Sequence, residues 1–283
     1  MKGINLSFSA CGFLGIYHLG AASALCRHGQ KLLKDVQAFA GASAGSLVAS
    51  VLLTAPEKLE ECGEFTYVFA EEIRRQALGA ATPGYDFMAR LRSGMESILP
   101  PDAHTLACGR LHVSITNARS GRNCLVSAFC SREDLLQVLC ASSFVPIYAG
   151  LRAVEYRGQK WVDGGLTDSL PILPGGRTVT VSPFTGRLDI SPQDDGRLGS
   201  YVRVANQDVL VSHHVPGCLK GVRLLRCPTH LQNGGSSLIT FVHTTSFIYG
   251  TCLALVPPDG ECEVACSSVM VCAEASSVSF FLF

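Results

Sequence analysis

Charge is the scarcest ingredient of this chain. Asp, Glu, Lys and Arg make up 16% of its 283 residues, and 23 acidic side chains cancel 23 basic ones. A neutral chain offers no electrostatic footprint for nucleic acid, so none is expected as a partner. The 13 cysteines are odd in number and scattered. From Cys11 to Cys140 they form no C-x-x-C pair and no zinc spacing with histidine. Neither a disulfide framework nor a metal site is expected, and no cofactor. Scattered thiols fit a reducing compartment, where they act as small apolar side chains. No internal repeat is present. Against these absences stands a hydrophobic fraction of 47%, high enough to point to an apolar substrate or a lipid surface.

Two apolar stretches imitate targeting or membrane segments. No charge separates Lys2 from Arg27, and Ala22-Ser23-Ala24 resembles a signal-peptidase site. However, Ile4-Asn5-Leu6-Ser7-Phe8 alternates like a strand, and Asn5, Ser7, Ser9 and His18 interrupt the run. The chain is therefore expected to be cytoplasmic rather than secreted. Residues 238–256 are apolar too, but Thr240, His243, Thr244, Thr245, Ser246 and Thr251 make a poor membrane span.

Strands are expected at residues 4–8, 36–40, 111–115, 124–129 and 178–182, and a hairpin around Arg157-Gly158-Gln159. Helices are expected from Ile16 to His28, stopped by a left-handed Gly29, and over residues 46–53. Thr54-Ala55-Pro56-Glu57 has the form of a capping box opening a helix to about Gln76. Ser131 caps another, running to about Ser142. This alternation predicts an α/β fold: a mainly parallel central sheet with helices on both faces.

The chemistry centres on Gly41-Ala42-Ser43-Ala44-Gly45, a G-x-S-x-G run between a strand and a small-residue helix. A serine on such a turn projects its hydroxyl into open space, and Gly41 and Gly45 let the backbone bend and a substrate approach. An acyl-transferring serine needs a base. Four histidines (His18, His28, His104, His112) precede the next motif, and four (His213, His214, His230, His243) follow position 212. A Ser-Asp-His triad would have to recruit from these. Trp161-Val162-Asp163-Gly164-Gly165 offers a carboxylate at a strand end instead. Partial burial would bring Asp163 towards neutrality and let it take the Ser43 proton directly.

Together these motifs resemble the patatin-like phospholipases, and residues 1 to about 211 resemble the vertebrate patatin-like phospholipase domain-containing proteins more closely still. Cys11-Gly12-Phe13-Leu14-Gly15-Ile16-Tyr17-His18, the Ser43 and Asp163 motifs, Pro83-Gly84-Tyr85-Asp86-Phe87 and Ala141-Ser142-Ser143-Phe144-Val145-Pro146 carry the likeness. The resemblance implies a three-layer fold and a Ser43–Asp163 dyad, supported by Gly41, Gly45, Gly164 and Gly165. It also implies an oxyanion loop of Cys11, Gly12, Phe13, Leu14 and Gly15. Ala10 replaces the first loop glycine of the wider family, and Leu14 stands where plant members carry a basic residue. The implied substrates are lipid esters (triacylglycerol, phospholipid or retinyl ester), with acyl transfer to another alcohol also open. The implied setting is a membrane or lipid-droplet surface. The rival expectation is a catalytically silent lipid-binding protein that keeps the fold.

Beyond residue 211 the likeness ends. The segment 212–283 holds only seven charges and six of the cysteines, and is expected to be an atypical, poorly structured tail.

Overall fold

The computed structural model describes residues 3–192, 199–212, 237–242 and 251–256. One seven-stranded sheet organises the molecule. Its centre is parallel: β1 (Ile4–Phe8) lies between β2 (Val36–Ala42) and β7 (Arg177–Val181), and β2 pairs with β3 (Leu111–Asn117). Antiparallel additions follow on β3. The strand β4 (Asn123–Val126) pairs with it, as does β6 (Gln159–Asp163), which forms a hairpin with β5 (Val154–Tyr156). The hairpin turns at Arg157 (φ 49°) and Gly158 (φ 69°), two left-handed residues whose twist suits the flanking strands.

Period-two alternation gives the sheet two unlike faces. Leu6, Phe8, Phe39, Leu111, Val113, Val179 and Val181 share one face and belong to the hydrophobic core. Burying each such side chain contributes roughly 1.5–3 kcal/mol. A helical layer covers that face: α1 (Gly15–His28), α2 (Gln30–Asp35), α3 (Ala44–Thr54), α4 (Leu59–Arg75), α5 (Phe87–Ile98), α6 (Ala103–Ala107) and α7 (Arg132–Ser142). The opposite face carries small polar groups. Asn5, Ser114, Thr116 and Thr180 bond from it to Gly175, Asp168, Thr167 and Asp189. Irregular chain on either side of β7, at residues 164–176 and 182–189, opening with one 3-10 turn at Gly164–Leu166, therefore forms the third layer among the described residues.

The expected elements arise with adjusted ends. The strand expected at 124–129 is shorter, Asn123–Val126. Ser131 caps α7 by accepting from the Asp134 N–H at 3.1 Å. Gly29 has φ −104° rather than a left-handed turn, because α1 passes directly into α2. Thr54 opens no helix: it ends α3, and its hydroxyl donates back to the Ser50 carbonyl at 2.8 Å. Pro56–Lys58 forms a 3-10 turn before α4 begins at Leu59. Just before the tail, β8 (Gly199–Val204) pairs with β9 (Gln207–Ser212), and within the tail β10 (Ser237–Val242) pairs with β11 (Thr251–Val256). Two regular strands thus occur where no strand period was legible; the rest of the tail lies outside the described residues.

Candidate active site

Strand β3 explains how two distant motifs meet. β4 occupies one edge of β3 from Val113 to Thr116, so β2 and β6 must share the other edge. On that shared edge Ala42 partners Ser114, and Asp163 partners the next residue, Ile115. Ser43, one step beyond Ala42, therefore arrives beside Asp163. Close packing seals the junction. A Cβ on Gly164 would lie 2.0 Å from the Ser114 carbonyl oxygen, so only glycine fits there.

Ser43 has φ 52° and ψ −130°, a conformation non-glycine residues rarely adopt. Hydrogen bonds at both its backbone groups hold it there. Its N–H donates to Ser142 Oγ at 2.9 Å, while its carbonyl accepts from Ser46 N at 2.9 Å and Ser46 Oγ at 2.7 Å. Ser142 Oγ in turn donates to the Ser114 carbonyl at 2.7 Å, tying α7, the turn and β3 together. Gly41 and Gly45 are required by space: a Cβ on Gly45 would sit 2.2 Å from the Phe8 carbonyl oxygen, and one on Gly41 2.6 Å from Ser46 N.

Asp163 is buried and shares a side-chain hydrogen bond with Ser43. Burial pushes its carboxyl up to about 7, opposed by the bonds from Ser43 and from the Gly165 N–H, which donates to Oδ1 at 2.7 Å. Its backbone is held too: Asp163 N–H donates to the Phe144 carbonyl at 2.8 Å, and its own carbonyl accepts from Thr116 Oγ1 at 2.7 Å. Such a carboxyl changes protonation near neutral pH while in contact with a serine hydroxyl.

The loop Cys11–Gly15 lines the same cavity as Ser43 and Asp163. Within it the Leu14 N–H bonds the Cys11 carbonyl at 3.1 Å, and the Gly15 N–H bonds the Gly12 and Phe13 carbonyls. Ala10, the residue in place of a glycine, directs its N–H to the Ser169 carbonyl at 2.9 Å. The N–H groups of Cys11 and Gly12 have no acceptor among the described residues. Gly12 reaches this geometry through φ 55°.

The described histidines stand apart. His18 is fully buried, its Nε2 2.9 Å from the Ser9 carbonyl and its ring edge-on to Phe8. Desolvation lowers its pKa to about 4, so it is a neutral donor in the core. His104 sits beside Thr105, and His112 lies on the polar face of β3. His213, His214, His230 and His243 lie outside the described residues.

The cavity measures about 520 Å³ and is mainly apolar. Aromatic rings form one wall, in contact from Phe13 to Phe69 (5.5 Å), Phe69 to Phe87 (5.0 Å) and Phe87 to Tyr148 (5.5 Å). The helix α5 adds Leu91, Met95 and Ile98. Sequence reasoning missed this helix, although Asp86 capping Ala89 N at 2.9 Å and the apolar spacing 87, 91, 95, 98 were both visible. It also missed the clamp role of Ser142, which no local pattern marks.

Residues 6–175 match the family description "Patatin-like phospholipase". The chain belongs to this family. It is 79% identical over 212 residues to patatin-like phospholipase domain-containing protein 4 of Homo sapiens, covering 75% of this chain and 84% of that protein. Patatin-like phospholipase domain-containing protein 2 of Homo sapiens is 39% identical over 205 residues, covering 72% of this chain and 40% of its own length. The 1-acylglycerol-3-phosphate O-acyltransferase PNPLA3 of Homo sapiens is 38% identical over 193 residues, covering 68% and 40%. The patatin-like fold of this chain is thus shared with relatives named for phospholipase domains and for acyl transfer, two of which run to more than twice the aligned length.

Proposed function

We propose that this protein is a lipid acyl hydrolase working through a Ser43–Asp163 dyad. The observation that carries the reading is the hydrogen bond between Ser43 and a buried carboxyl held near pH 7, at the wall of an apolar cavity. Asp163 takes the Ser43 proton as Ser43 Oγ bonds to the ester carbonyl carbon. The Cys11 and Gly12 N–H groups, with the positive N-terminus of α1 nearby, stabilise the oxyanion. As the carbon–alkoxy bond breaks, Asp163 returns the proton to the departing alcohol. Water then attacks the acyl-serine, with Asp163 again accepting the proton, and as the bond from the acyl carbon to Ser43 Oγ breaks Asp163 returns the proton to Ser43 and the fatty acid leaves. A second lipid alcohol in place of water gives acyl transfer.

The apolar lining favours long acyl chains, and triacylglycerol, phospholipid and retinyl ester are the substrate classes proposed. The working site is the cytoplasmic surface of a membrane or lipid droplet; the seven described cysteines are free thiols, consistent with that compartment. The catalytic domain is residues 1–211, with 212–283 an atypical C-terminal segment. The test is hydrolysis of a long-chain ester by the full chain and by Ser43→Ala. Activity in the first and none in the second is expected. Equal activity in both would remove Ser43 from the reaction, and no activity in either would support the silent lipid-binding alternative.

A further inference from the structure

The segment 145–151, which joins α7 to β5, has features that acyl transfer does not explain. Ile147 adopts φ 72°, a left-handed conformation that β-branched residues avoid. Two backbone bonds enforce it, Ile147 N–H to the Gly150 carbonyl and Ala149 N–H to the Val145 carbonyl, both 2.8 Å. The strain gains little packing for the side chain, which is 53% exposed. Ile147 also lines the cavity, so it stands at the mouth. Leu151 is 89% exposed, the most exposed large apolar side chain among the described residues. Beside it Arg152 is exposed and has no ion pair among the described residues. Strand β8 supplies a second stretch of rim. Val204 lines the cavity, and Val202, two residues earlier on the same strand face, is 46% exposed.

We propose that Ile147, Leu151 and Val202, with Arg152 at their edge, dock this protein on a phospholipid surface, placing the cavity mouth against the acyl layer. The proposal rests on the lipid-hydrolase reading and names the surface that delivers its substrate. Drawing a long acyl chain through water exposes every methylene, a cost that grows with chain length. A mouth pressed into the lipid avoids that exposure. Apolar side chains at a loop tip with a cation beside them match the boundary between acyl chains and phosphate headgroups. A few protruding side chains are far short of the roughly 800 Å² per partner that a stable protein interface needs.

The test is sedimentation of the full 283-residue chain with phosphatidylcholine vesicles, with and without phosphatidylserine. Leu151→Ser should lower partitioning about tenfold on both vesicle types. Arg152→Gln should lower it about fivefold only where phosphatidylserine is present. Neither residue lines the cavity, so both variants should hydrolyse a short, water-soluble ester within about twofold of the parent, which also shows that they fold. Equal partitioning of parent and Leu151→Ser overturns the proposal. So does vesicle binding that emerges only when residues 212–283 are removed, which would give the rim to the tail. A concentration-dependent dimer abolished by Leu151→Ser would give it to a second copy and equally overturn it. Failure of Ser43→Ala to lose activity refutes the dyad instead and leaves the vesicle comparison intact.

Discussion

At the scale of single residues, Asp163 sets both the pH response and part of the energetics. Its carboxyl lies at about 7 in the folded chain against 3.8 for an ordinary aspartate. In the proposed dyad the ionised form is the base, so kcat/KM on a soluble ester should rise through about pH 7 with unit slope and then level; a profile flat from pH 5 to 9 would contradict this proposal. The linkage has the opposite sign for stability. Because the folded state holds the proton more tightly, its penalty for ionisation is absent below pH 3.8, grows until about pH 7 and then stays constant. The shift of about three units corresponds to roughly 4 kcal/mol. Asp163→Asn should therefore raise the unfolding midpoint at pH 8 and leave it nearly unchanged at pH 4, as measured by thermal melts. Ser142 acts by a different route. Ser142→Ala would strip the Ser43 N–H of its buried acceptor, at a cost of about 1–3 kcal/mol in denaturant titration. The sequence marks Ser43 and Asp163 through their flanking glycines. It gives Ser142 no such mark, because that role depends on a contact 99 positions away.

At the scale of elements, the short strands and the Ser131-capped helix were legible because their signals are local. Alternation marks β1, and a serine three residues before an acidic side chain marks the start of α7. Thr54-Ala55-Pro56-Glu57 misled for the same reason: the local capping pattern lost to the continued packing of α3. The elbow between β2 and α3 leaves no room for ordinary side chains. In Gly45→Ala the added carbon would press on the Phe8 carbonyl, so helix and strand must separate. A loss of at least 1–3 kcal/mol in stability is expected, with hydrolysis falling alongside. A variant with the parent's melting curve would show that the close approach is not required. The α5 helix offers a gentler probe. A Cβ on Gly94 would meet the ring of Phe65, which lines the cavity, at 2.2 Å. Gly94→Ala should shift preference in an ester series towards shorter acyl chains.

For the whole molecule, the two-faced sheet accounts for the arrangement. Its apolar face carries the helices and the cavity, and its polar face is tied to the chain that leads away from Asp163. The parallel centre could be inferred from alternating strands and helices, but the shared edge of β3 could not, since register is a property of three strands at once. Every group assigned to catalysis lies before residue 212. A chain ending at residue 211 should therefore hydrolyse a soluble ester within about twofold of the full-length rate; a much larger loss would make the tail part of the catalytic unit.

The most direct measurement of the central claim is fluorophosphonate modification of the full chain at pH 8, followed by mass spectrometry of the labelled peptide. Rapid labelling at Ser43, and its loss in folded Asp163→Asn, is the predicted result. Labelling of Ser43 at an unchanged rate in Asp163→Asn would contradict it, because the serine would then be activated without the carboxylate.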